Sequence, residues 1–218
     1  NHDKNAGHKG VTAVVVEKGT PGFTINPQHG KMGMKGCATA ELVFDNCHIP
    51  IENRLGEEGQ GWSVAMATAG FERGLMLRSP ARFQNTARKL VDLYRKTVAE
   101  GGFVDGTLRD TVTRCWIDAE AYTLNTYQTV SRLMAGDKIG AEASLNKIFW
   151  SELDIRMHEA ALALLGARAE LRPHAPGAEG VDDWLDGFIF ALAGPIYAGT
   201  NEIQRNIIAE RILGLPRK

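Results

Sequence analysis

With 218 residues, 44% of them hydrophobic and 23% charged, and a net charge of −1, the chain has the balance of a globular protein that buries a core without staples. That charge argues against a nucleic-acid surface, which needs a basic stripe, and no apolar run reaches the ~18 residues that span a bilayer. Six histidines show no metal-ligand spacing. The three cysteines (Cys37, Cys47 and Cys115) are odd in number and lack a Cys-x-x-Cys pair, which points to a reducing compartment.

The opening stretch, Asn1–Gly10, is polar, has no initiator methionine and no signal-peptide pattern, and reads as the start of a fragment. The next residues read as β. Val11–Val16 is a β-branched run closed by the turn signal Gly19-Thr20-Pro21-Gly22, and Phe23-Thr24-Ile25 and Ala40–Phe44 alternate. Three or four such strands have open edges and need partners.

From Gly59 the hydrophobic period becomes helical. Segment 61–99 carries Trp62, Ala65, Ala69, Met76, Phe83, Leu90, Leu93 and Tyr94, with Pro80 placed to kink or split it. Segment 107–135 starts with a capping-box-like Thr107-x-x-Asp110. Its stripe is Leu108, Val112, Cys115, Ala119, Tyr122, Thr126, Val130 and Leu133. Segment 141–165 carries Leu145, Ile148, Phe149, Leu153, Met157, Ala160 and Leu164 and stops at Gly166. Residues 170–182 read as an exposed loop, 183–193 as a short helix that Pro195 ends. Thr200 or Asn201 caps a last helix with Ile203, Ile207, Ile208 and Ile212 facing inward. The fold class is mainly α, an antiparallel helical bundle (60–218) preceded by part of a small antiparallel β-domain (1–59).

Two stretches carry a family resemblance. Ile196-Tyr197-Ala198-Gly199-Thr200-Asn201-Glu202-Ile203-Gln204-Arg205-Asn206-Ile207-Ile208-Ala209-Glu210-Arg211 resembles the carboxy-terminal signature of acyl-CoA dehydrogenases. Thr20-Pro21-Gly22-Phe23, Lys31-Met32-Gly33-Met34-Lys35, Glu41-Leu42-Val43-Phe44 and Pro50-x-x-Asn53-x-Leu55-Gly56 look like the second half of that family's middle β-domain. Gly59-x-Gly61-Trp62 resembles the lead-in to its helical bundle. The resemblance implies FAD as cofactor and an acyl-CoA substrate in fatty acid or lipid metabolism. It also implies electron-transfer flavoprotein as acceptor, a homo- or hetero-oligomer (dimer or tetramer), and a cytoplasmic location, or the mitochondrial matrix in a eukaryote. An amino-terminal helical domain and a flavin-contacting Trp-x-Thr/Ser strand would lie upstream of Asn1.

The family reaction removes the proton α to a thioester and passes hydride from the β carbon to flavin N5, which requires a desolvated carboxylate within reach of the substrate. Many members place that glutamate directly before the Gly-Thr of the signature, where this chain has Ala198. A minority, resembling isovaleryl- and long-chain-type enzymes, hold it on the first bundle helix before an arginine, and Gly70-Phe71-Glu72-Arg73-Gly74 stands at that place. The resemblance thus makes Glu72 the catalytic base, with Arg73 steadying the site or substrate and Gly199 lying against the substrate. Read without it, Glu72 is a solvated helix glutamate. Thr200, Asn201 and Glu202 would contact FAD, although Thr200 alone reads as an N-cap.

Two familiar segments depart from the family pattern. No Arg-x-x-Phe-Gly follows the first bundle helix, and Leu164-Leu165-Gly166-Ala167 replaces Gln-x-x-Gly-Gly. The pattern is nearer to bacterial branches acting on bulky or steroid-side-chain acyl-CoAs, some built from two unlike subunits. Alternatives are therefore a non-catalytic subunit of a heteromeric enzyme and an acyl-CoA oxidase-like relative. Met66, Met76 and Met157 read as core filling or an acyl tunnel, His158 as a satisfied core histidine, and Lys31, Lys35, Arg205 and Arg211 as solvated charges that could meet CoA phosphates.

Overall fold

The computed structural model describes residues 5–27, 29–74, 78–137, 140–171, 175–178 and 181–217, the side chains of 69–74 and 182–183 excepted. The chain divides into two compact units, Asn1–Glu72 and Arg73–Lys218.

The first unit holds two short antiparallel ribbons. β1 (Ala13–Val14) pairs with β4 (Arg54–Leu55), and β2 (Phe23–Ile25) pairs with β3 (Leu42–Phe44). Phe23 lies opposite Phe44, and their rings stack at 4.8 Å, a cross-strand aromatic pair that fixes register. Helix α1 (Gly61–Gly74) follows directly. Its Gly-x-Gly start has a steric cause. Gly61 donates its N–H to Val11 O at 2.7 Å, and a Cβ there would come within 2.6 Å of Ala13 N. Trp62 stacks on His8 at 4.1 Å. The Val11–Val16 run pairs in the ladder only at Ala13–Val14, and Val14 and Val15 stay exposed.

The second unit is a helical bundle: α2 (Pro80–Ala99), α3 (Gly106–Met134), α4 (Ala143–Leu165), α5 (Asp182–Ala191) and α6 (Asn201–Arg211). Pro80 takes the first position of α2, where its missing N–H costs nothing, so it begins a helix rather than kinking one. Asp105, not Thr107, caps α3. Its backbone is extended and its carboxylate accepts from Leu108 N at 2.7 Å, which leaves Thr107 already inside the first turn. Gly166, at φ +56°, ends α4 where the glycine predicted it.

α4 is the axis of this unit, packed against α2, α3, α5 and α6. The core joins Phe83, Ala87 and Leu90 of α2, Val112, Cys115, Ala119 and Tyr122 of α3, and Trp150, Leu153, Met157 and Leu164 of α4. Met157, fully buried, is core filling; Met66 is exposed, and Met76 lies outside the described residues. The α3 stripe is buried from Val112 to Thr126, but Val130 and Leu133 emerge. Burial pushes the Cys115 thiol up to about 11. All three cysteines are free.

The inward isoleucine face expected for α6 is not what the helix buries. Ile203 and Ile212 are 49% and 45% exposed, and Ile207 and Ile208 are half-buried. Asn201 and Gln204, spaced three apart, are the buried pair. They can face the interior because α4 offers polar partners on the matching face, so their burial leaves no hydrogen bond unmade.

Candidate functional site

The connection from α5 to α6 is a tight turn built from backbone hydrogen bonds. Gly194 N donates to Ala191 O at 2.8 Å, Tyr197 N to Ala193 O at 3.1 Å, and Asn201 N to Pro195 O at 2.9 Å. Two successive residues are left-handed, Ala198 at φ +58° and Gly199 at φ +85°. For alanine that conformation costs roughly 1–2 kcal/mol, so the surroundings must hold it. Gln204 does so, its Nε2 donating to Ala198 O at 3.2 Å and Gly199 O at 3.4 Å. A Cβ on residue 199 would sit 2.6 Å from that same nitrogen, which requires glycine there. On its other side Gln204 Oε1 accepts from Ser144 Oγ of α4 at 2.7 Å.

Thr200 then caps α6, its hydroxyl oxygen accepting from Ile203 N at 3.4 Å. Glu202 is exposed on the first turn. A hydrogen bond from its own amide, and then one from the Thr200 hydroxyl, holds its carboxyl below the usual carboxylate range. Asn201 faces the other way. It is buried, accepts from Lys147 Nζ at 2.7 Å, and its amide nitrogen lies 3.1 Å from Ser151 Oγ and 3.3 Å from Glu152 Oε1. Burial pulls the Lys147 ammonium below its ordinary range, and the attraction of Glu202 opposes that shift.

A second polar cluster lies beside Tyr197. Arg78 donates to the Tyr197 hydroxyl at 2.6 Å and sits 5.2 Å over the Trp150 ring, while Tyr122 donates to Arg78 O at 2.9 Å. Buried Asp154 pairs with Arg82 at 2.7 Å. Desolvation raises the Asp154 carboxyl, and Arg82, His158 and Arg78 counter it. His158 Nδ1 lies 2.7 Å from Asp154 O and its ring meets Trp184 edge-on, the satisfied core histidine that its position on α4 suggested.

The structure thus brings Gly199, Thr200, Asn201 and Glu202 together at the α6 amino terminus. Glu72 and Arg73 stand in the last turn of α1, and their side chains lie outside the described residues. Sequence reading missed Gln204, Lys147, Ser144 and Arg78. Gln204 sat within the signature, whereas Lys147 read as an ordinary helix charge. A helix amino terminus with a half-buried capping hydroxyl and an exposed carboxylate suits a ligand rich in both hydroxyls and acceptor oxygens, and FAD is one. No cluster of metal-ligating side chains occurs among the described residues, nor any helix long and apolar enough to cross a membrane.

Comparison with known proteins identifies the family. The profile for the acyl-CoA dehydrogenase C-terminal domain matches residues 59–213, and that for the acyl-CoA dehydrogenase middle domain matches residues 1–47. Acyl-CoA dehydrogenase IpdE1 of Mycobacterium tuberculosis is 33% identical over 97% of the chain and 52% of its own length. An acyl-CoA dehydrogenase of Bacillus subtilis is 33% identical over 95% of the chain and 54% of its own length. Among solved structures, the ChsE4–ChsE5 complex of Mycobacterium tuberculosis superposes with a TM-score of 0.78 at 29% identity, covering 97% of the chain and 54% of its counterpart. The chain spans about half the length of the curated relatives it matches. A profile matched across most of the chain, with the capped turn inside the matched stretch, settles the family: the chain belongs to the acyl-CoA dehydrogenases.

Proposed function

We propose that the chain supplies part of an FAD-dependent enzyme that α,β-dehydrogenates an acyl-CoA thioester. The observation that carries the reading is the α6 amino terminus, where a left-handed Ala198–Gly199 turn feeds a Thr200-capped helix inside the stretch matched to the family's C-terminal domain. Thr200 and Glu202 hold FAD, and Gly199 lies along the substrate. Asn201, whose amide is committed to α4, sets the turn that presents them. FAD, when bound, provides the acceptor for the hydride leaving the β carbon. The Glu72 carboxylate takes the proton from the α carbon, and Arg73 steadies the carboxylate or the substrate. That assignment rests on register: Ala198 cannot accept a proton, and Glu72-Arg73 stands where the minority of the family holds its base. Electron-transfer flavoprotein takes the electrons onward, and the working protein is an oligomer.

A second reading is that of a non-catalytic subunit in a heteromeric enzyme. The matched ChsE4–ChsE5 structure, a complex of two differently named chains, favours it.

The test is colour. The protein at its full natural length is expected to purify yellow and to bleach anaerobically with acyl-CoA. Glu72→Gln is expected to stay yellow and to bleach about 10²–10⁴-fold more slowly. Bleaching at wild-type speed in that variant moves the base elsewhere. A colourless protein with no affinity for FAD supports the second reading.

A further inference from the structure

The turn proposed to meet flavin and substrate is not held by its own residues alone. Lys147 is a cation with 4% of its surface exposed, an unusual place for a lysine, and its ammonium donates to Asn201 Oδ1 at 2.7 Å. Ser151 Oγ lies 3.3 Å from the same oxygen and 3.1 Å from the amide nitrogen, and donates to Ile148 O at 3.0 Å. Asn201 Nδ2 reaches Glu152, which is also ion-paired with Arg205. One turn along, Ser144 and Gln204 repeat the arrangement and fix the carbonyls of Ala198 and Gly199. α4 therefore grips α6 through two polar ties three residues apart on each helix, and residues 198–202 lie across them.

A buried ammonium is expensive, and a hydrophobic residue of similar length would fill the same space. An amine at this point is explained by what it holds. Asn201 is the first residue of α6, and its backbone N–H is bound to Pro195 O, so the side-chain tie to Lys147 and the backbone tie to Pro195 fix the same residue at the end of the turn. The neighbouring charges nearly balance: Glu152 and Glu202 stand against Lys147 and Arg205, with the helix amino terminus adding its own positive end.

We propose that Lys147 is a positioning residue. Acting through Asn201, it locks the Ala198–Glu202 turn in the conformation that presents Thr200 and Glu202 to the cofactor. The inference rests on the flavin reading above for its ligand, but its mechanical part stands on this chain's own hydrogen bonds.

The experiment uses the protein at its full natural length. Lys147→Met is expected to weaken FAD binding about tenfold, the scale of losing a buried hydrogen bond to a charged group. Asn201→Ala should do the same, and the double variant should lose little more than either alone, because both remove one tie. Amide hydrogen exchange across 198–203 should quicken in Lys147→Met while exchange in α2 stays unchanged. Unchanged FAD affinity in a folded Lys147→Met, or fully additive losses in the double variant, would overturn the proposal. If Lys147→Met does not accumulate, Ser151→Ala and Asn201→Ala carry the affinity and exchange measurements in its place. A wild-type protein that binds no FAD removes the ligand reading alone; the exchange comparison then still decides whether Lys147 holds the turn.

Discussion

Apart from the buried Asp154–Arg82 pair, two sides of α4 are built on different principles. Toward α2 and α3 it presents Trp150, Leu153 and Met157, all fully buried against Phe83, Leu90 and Tyr122. Toward α6 it presents Ser144, Lys147 and Ser151, which meet Gln204 and Asn201 through hydrogen bonds. The apolar side gains from area and tolerates small adjustments of angle. The polar side gains little net free energy per bond but admits one geometry, because any other leaves buried groups unpaired. Stability and precise placement are thus divided between two faces of one helix. The proposed ligand turn stands on the second.

This division can be broken by mutation. Trp150→Ala should cost about 3–5 kcal/mol in urea unfolding, since it removes a fully buried indole that touches Phe83 and Tyr197. Gln204→Leu fills nearly the same volume but strands Ser144 Oγ and the carbonyls of residues 198 and 199, and should cost about 2 kcal/mol. If Gln204→Leu matched or exceeded Trp150→Ala, the contrast between the faces would fail.

The smallest effect is one of pH. The Lys147 ammonium titrates in the folded protein below its ordinary value of 10.5, because burial disfavours the charged form. Between the depressed folded value and 10.5 the unfolded chain binds more protons, so the contribution of Lys147 to stability grows as pH rises through that window and is lost as pH falls through the folded value. The stability gap between wild type and Lys147→Met should therefore widen modestly from neutral pH toward pH 10.5. A gap that stays flat would mean that the amine titrates as it does in the unfolded chain, and one that narrows would mean that the fold stabilises its charged form.

The sequence was informative at most places where a local rule governed the outcome, the α3 cap excepted, which falls on Asp105 rather than Thr107. Gly166 ended α4, Thr200 capped α6, and the stripe from Val112 to Thr126 became core, because helix periodicity and capping involve residues only three or four apart. It misled at α6, where the apolar residues recur with helical spacing and the buried ones are polar. Asn201 and Gln204 face inward only because partners more than fifty residues away wait on α4. Lys147 and Arg78 were illegible for the same reason, since a charge reads as solvated until its partner is seen. Of the candidate site, Gly199–Glu202 stood out as a family signature, and the pairings behind them did not.

Ala198 shows how chemistry and scaffold can be separated in such a site. Its left-handed backbone is imposed by Gln204 below and Pro195 behind, neither of which contacts a group that depends on which side chain stands at 198. Replacing one L-residue by another there leaves the same torsional penalty and the same supports. A functional carboxylate could therefore be surrendered at this point, and recruited elsewhere along the chain, without the loop itself having to be redesigned.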